Sequence, residues 1–285
     1  MRFQTRRFCV YFVHKGRTRP APTDLVRKAG MRHGFLSSLL AAGTLCLAGL
    51  APLQAAELTL ALANSTCPVM NKVIEAYRTR SNDRFTLICK SSGLLAKGLH
   101  GGALHADIFL SADREWMDFA MEKGLVAANR VTSPWSNVLI VAVPKASPIQ
   151  RLDWNALATD RVGVLLIGDP SNAPFGRHAK EALEAAGLWD KVRHKIETRK
   201  NIELLGESLA AAGPSTVGIL FRTNLSDRLR PLFTVNPALH APIHYAVAPL
   251  KASAERPEVA AFLEFLHGKT ARDIFRADGF SVNTP

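Results

Sequence analysis

Along most of the chain, apolar runs of four to six residues alternate with longer stretches in which apolar positions recur every three or four residues. The runs at 58–63, 85–89, 107–110, 138–143, 162–167, 217–220 and 243–248 predict strands. The stretches 69–80, 94–100, 113–123, 177–186, 202–211 and 257–266 carry helical periodicity. This alternation predicts an α/β protein with largely parallel sheets covered by helices. No internal repeat, low-complexity tract or long linker interrupts it, so two lobes would have to be joined by crossing strands, for which 138–144 and 243–249 are the candidates. That divides the chain into a discontinuous first lobe, 57–137 plus 245–285, and a second lobe, 138–244.

Residues 1–56 stand apart. Met31-Arg32-His33 precedes the apolar run FLSSLLAAGTLCLAGLAPL and then QAAE, the pattern of a secretory signal peptide cleaved after Ala55 or Ala56. Met1 and Met31 are both candidate starts, residues 1–30 being an upstream extension in the second case, and the mature protein is expected in the periplasm. Location changes the meaning of the formal charge of +12. Nine Lys/Arg against Asp24 fall in this leader, leaving +4 on the other 229 residues, an ordinary surface that disfavours a nucleic-acid partner. With 47% hydrophobic residues the chain can bury a core. Of four cysteines, Cys9 and Cys46 lie in the leader. Cys67 and Cys89 each follow a predicted strand, and either a disulfide or two buried thiols suits them.

Four strand-to-helix junctions carry small polar residues. They are Ala63 through Pro68, Lys90-Ser91-Ser92-Gly93, Gly168 through Gly176, and Lys200-Asn201-Ile202. Ligands of such sheets bind beyond the carboxyl ends of the strands. Each helix start offers unpaired N–H groups and positive partial charge, and serine adds a hydroxyl donor, so converging junctions make an anion site without a cation. Taken singly, each junction reads as ordinary capping.

The segments ADIFLSADREWMDFAMEKGLV (106–126), GDPSNAPFGRHAKEALEAAGLWDKV (168–192) and DIFRADGF (273–280) resemble the periplasmic molybdate-binding proteins of ABC importers, in the same order over nearly the whole mature chain. The resemblance implies a type II periplasmic binding-protein fold, two Rossmann-like α/β lobes joined by crossing strands with the oxyanion between them. It places ligand contacts at the hydroxyls of Ser65 and Ser92 and at the backbone amides of Phe175 and Ile202. A family tyrosine corresponds to Phe221 in Gly218-Ile219-Leu220-Phe221, so its hydroxyl is missing here. Asn64, Asn224, Arg222 or His178 are candidates to replace it, and Ser91 is a further candidate contact. The implied ligand is molybdate or tungstate, with no other cofactor, and the implied partners are a membrane permease and its ATPase, the binding protein itself being a monomer. The alternatives are a relative that takes another oxyanion or small anion, and a sensory or assembly subunit that carries no solute.

Enzyme signatures are missing. There is no GxSxG elbow, and Gly206-Glu207-Ser208 falls inside a predicted helix. His240 and His244 are spaced for a metal on a helix, but Pro242 between them breaks that geometry. Asp113, Glu115 and Asp118 read as acids favourably placed at a helix start, and Asp169 as a turn residue. Neutral donors suit molybdate, tungstate and sulfate, which carry no proton at neutral pH, whereas protonated phosphate also needs an acceptor.

Overall fold

The computed structural model describes residues 55–283. The expected leader, its upstream extension and its start lie outside the described residues, except for Ala55 and Ala56.

The first stretch runs β1 (Glu57–Ala63), α1 (Cys67–Tyr77), β2 (Arg84–Lys90), α2 (Ser92–His100), β3 (Ile108–Ser111), α3 (Arg114–Glu122) and β4 (Thr132–Ser136). The chain then passes to β5 (Leu139–Pro144), β6 (Val164–Gly168), α4 (Pro174–Ala185), α5 (Trp189–Val192), β7 (Ile196–Arg199), α6 (Ile202–Ala210), β8 (Thr216–Phe221) and β9 (Leu229–Thr234). It returns with β10 (His244–Pro249), α7 (Pro257–His267), α8 (Lys269–Ala277) and β11 (Ser281–Val282).

These strands form two sheets, in the orders β11-β4-β10-β3-β1-β2 and β7-β6-β8-β5-β9. In the first, β1 lies parallel to β2 and β3; in the second, β6 lies parallel to β7 and β8. The strands next to each crossing run antiparallel: β10 against β3 and β4, and β5 against β8 and β9. Sheets are therefore mixed, with three parallel strands forming one side of each. The central strands β1, β3, β5 and β8 are buried almost throughout, which explains why their sequences read as unbroken apolar runs.

Strands β4, β7, β9 and β11 and helices α5 and α8 add to the expected elements. β7, β9 and β11 are edge strands and β4 is next to an edge. Pro231 in β9 and Pro134 in β4 break the apolar pattern where a missing N–H is tolerable. Aromatic packing ties the return elements to the first sheet: Trp135 of β4 stacks on Phe275 of α8 at 4.0 Å between ring centroids.

Cys67 and Cys89 form a disulfide between the start of α1 and the end of β2. It joins the two loops that carry the serine-rich junctions.

Candidate functional site

Six parallel strands, three from each sheet, end at one place. Residues just after β1 (Asn64, Ser65), β2 (Ser91, Ser92) and β3 (Ala112), those that open the helices following β6 (Pro174, Phe175) and β7 (Asn201, Ile202), and Phe221 ending β8 line a cavity between the sheets. The centre of a water-sized sphere has only about 10 Å³ in which to move there. No lining residue carries a charge.

Local geometry explains each donor. Ser91 is the N-cap of α2 in an extended conformation, which leaves the Ser92 and Gly93 amides at the helix start. Pro174 opens α4, where its missing N–H costs nothing. Phe175 follows it, and a side chain on Gly176 would lie 2.3 Å from the Gly168 carbonyl, so glycine there lets β6 and α4 touch backbone to backbone. Asn201 caps α6 by accepting from Leu204 N–H at 2.8 Å, which leaves the Ile202 amide at the first helical position.

The three serines differ in their partners. Ser92 is fully buried, and its Oγ accepts from the Ala112 N–H at 3.0 Å, so its own proton is free to point elsewhere. Ser65 Oγ lies 3.1 Å from the Tyr245 hydroxyl. Ser91 Oγ is buried without a partner. Asn64 donates its Nδ2 to Glu203 at 2.8 Å and leaves Oδ1 buried and unpartnered. Burial holds the Glu203 carboxyl above its ordinary range, against the opposing effect of the Asn64 hydrogen bond.

Of the residues the sequence nominated, Asn64, Ser65, Ser91, Ser92, Phe175, Ile202 and Phe221 all line this cavity. Asn224 does not. It closes the short turn after β8, where its Oδ1 accepts from Thr223 Oγ1. Arg222 donates to Thr234, and His178 contacts Glu181 through Nδ1, so neither lines the cavity either. Asp169 is a turn residue: its carboxylate accepts from Ser171 and Asn172. Although burial opposes it, these hydrogen bonds and the nearby Lys97 hold that carboxyl below its ordinary range. Among the described residues, no group of three or more His, Cys, Asp or Glu is gathered closely enough to hold a metal ion.

Two features escaped sequence reasoning. One is Tyr245, fully buried in β10, whose hydroxyl meets Ser65 from 180 positions away. The other is a set of bridges across the cavity mouth. Arg177 of α4 reaches Asp113 at 2.9 Å and Glu115 at 2.7 Å, so these helix-start acids also receive a cation from the other half. Gly93 N–H donates to the Asn172 carbonyl at 3.0 Å, and Lys97 Nζ to Asn172 Oδ1 at 2.7 Å. A Cβ at Gly93 would lie 2.7 Å from Trp116 and 2.9 Å from the Asn172 Cα, so only glycine allows this approach.

Comparison with known proteins gives consistent matches. The description of bacterial extracellular solute-binding proteins fits residues 58–281. The molybdate-binding protein ModA of Escherichia coli (strain K12) is 28% identical over 250 residues, spanning 85% of this chain and 95% of its own. Among solved structures, the substrate-binding domain of a molybdenum ABC transporter from Clostridium difficile has 25% identity and a TM-score of 0.63, over 81% of this chain and all of its own. The sulfate-binding protein SubI of Mycobacterium tuberculosis H37Rv has a TM-score of 0.69 at 15% identity, over 81% of this chain and 88% of its own, a likeness of fold alone.

Proposed function

The chain belongs to the bacterial extracellular solute-binding proteins, and from that premise we propose that it captures a tetrahedral oxyanion, molybdate or tungstate, for an ABC importer. Its fold is that of the type II periplasmic binding proteins. Members of this family bind solutes rather than catalyse reactions. The ligand would sit in the cavity at the six strand ends, held by the hydroxyls of Ser65, Ser92 and Ser91 and the amides of Phe175 and Ile202. The buried, unpartnered Ser91 hydroxyl beside two serines whose oxygens are already engaged is the observation that carries this reading. Such a group costs free energy until an acceptor arrives.

Molybdate accepts hydrogen bonds at all four oxygens and brings no proton, which matches a lining of donors. Each hydrogen bond to such a charge contributes about 1.5–3 kcal/mol. Two lobes closing on the anion, divided as 57–137 plus 245–285 and 138–244, would exclude water and strengthen each contact. Export to the periplasm, delivery to a permease driven by an ATPase, and action as a monomer complete the reading.

Asn64 Oδ1 favours a second reading. Its amide is oriented by Glu203, so a buried acceptor without a partner remains at the cavity. An oxyanion that keeps a proton, such as hydrogen phosphate, would satisfy it.

Isothermal titration of the purified protein tests both. Submicromolar binding of molybdate and tungstate, without heat from sulfate or phosphate, is expected. Heat with phosphate alone selects the second reading, and silence with all four anions from a folded protein removes both.

A further inference from the structure

Ser65 differs from Ser92 in how its proton is directed. At Ser92 a backbone N–H occupies the oxygen. At Ser65 side chains do so, and their order can be worked out from donors and acceptors alone. Asn137 Oδ1 accepts from the Val138 N–H at 2.9 Å. A peptide nitrogen only donates, so this contact fixes which way the amide faces. Asn137 Nδ2 therefore donates to the Tyr245 hydroxyl at 3.0 Å and to Thr223 Oγ1 at 2.8 Å. A phenol has one proton. Either hydroxyl could donate across the 3.1 Å between Tyr245 and Ser65 Oγ, but with the phenol oxygen already accepting from the Asn137 N–H, Ser65 Oγ is the acceptor that its hydrogen bonds leave for the phenol proton. Ser65 then accepts from Tyr245, and its own proton turns away from the phenol. Ser65, Asn137 and Tyr245 are all buried, so bulk water does not offer substitute partners.

Resting on the oxyanion reading above, we propose that Asn137 and Tyr245 are positioning residues that hold the Ser65 hydroxyl as a donor toward the cavity and thereby favour oxyanions without a proton over those that carry one. The placement of the two residues gives the relay a second consequence. Asn137 lies in the two-residue link from β4 to β5, one of the two passages between the sheets, and Tyr245 is the second residue of β10, directly after the other passage. The donor state of Ser65 is thus set by residues at or next to both crossings. Burial pushes the Tyr245 hydroxyl far above its ordinary range, against the hydrogen bonds with Ser65 and Asn137, so the phenol keeps the proton the relay needs.

The test is the ratio of molybdate to phosphate affinity, measured by titration in mildly acidic buffer where phosphate retains protons. Tyr245→Phe keeps the ring packed near Phe221 and Phe280 and deletes only the hydroxyl. Ser65 is then free to donate or accept, and molybdate affinity should fall about tenfold, with a smaller loss for phosphate. Asn137→Asp reverses the chain, because a carboxylate accepts from both Val138 and Tyr245, and Tyr245 then accepts from Ser65. Ser65 would present lone pairs to the ligand, and the ratio should drop further, by about a hundredfold. A general loosening of the site would weaken both anions equally. An unchanged ratio in Asn137→Asp, or wild-type molybdate affinity in Tyr245→Phe, overturns the relay while leaving the oxyanion reading intact. If the wild-type protein binds neither anion, the functional reading falls and the relay with it.

Discussion

Ser92 and Glu181 show how single groups are fixed by what surrounds them. Ser92→Ala removes a cavity donor and leaves the Ala112 N–H without its acceptor. Molybdate affinity measured by titration should fall about ten- to a hundredfold, the worth of one hydrogen bond to a charged ligand. Glu181 lies in α4, where it accepts from the Ala241 N–H at 3.0 Å and contacts Arg177 and His178. Burial opposes its ionisation, yet the hydrogen bonds from His178 and Ala241, with the charge of Arg177, bring its carboxyl down to about 2. A lowered carboxylate pKa stabilises the fold fully above the unfolded value near 4.5, and that contribution is lost as pH falls toward 2. Glu181→Gln should therefore flatten the acid limb of a denaturant-derived stability profile over that window. Ser65 and Ser92 were legible because small polar residues just past a strand are where α/β sheets place ligands. Tyr245 was not, since one tyrosine in an apolar strand gives no local sign of a partner so distant in sequence.

At the level of elements, the disulfide does more than add a crosslink. Cys67 is two residues beyond Ser65 and Cys89 two residues before Ser91, so the bond fixes the spacing of two donor-bearing loops. Closing a loop of this length is worth about 3 kcal/mol through the unfolded chain. Reduction with a thiol should lower the calorimetric melting temperature and also weaken molybdate binding; a fall in melting temperature without loss of affinity would mean the loops hold their spacing unaided. Two cysteines after neighbouring strands suggested such a pair without deciding it. Among the strands, β1, β3, β5 and β8 announced themselves because both faces are covered. β7 and β9 did not, because an edge strand with one wet face and, in β9, a proline carries too few apolar positions to stand out. Helix α8 is short and mostly polar, with Ala271 and Phe275 its buried residues, so its periodicity rests on too few positions to register.

For the molecule as a whole, the bridges from Arg177, Lys97 and Gly93 tie the two halves together, and on the oxyanion reading they would hold the shut form around a bound ion. Arg177 is their strongest member, because Asp113 is almost completely buried and needs a cation. Arg177→Met should weaken molybdate binding severalfold and speed its release in stopped-flow fluorescence; unchanged release would show that the bridge does not hold the shut form together. The void leaves almost no spare volume around a small ion, and its rim is stitched by Gly93, Lys97, Asn172 and Arg177. On the oxyanion reading, cargo would cross the rim only while the halves stand ajar, so the dwell time of a captured ion would be governed by how often the clasp slips, and strength of grip and slowness of handover would become one property.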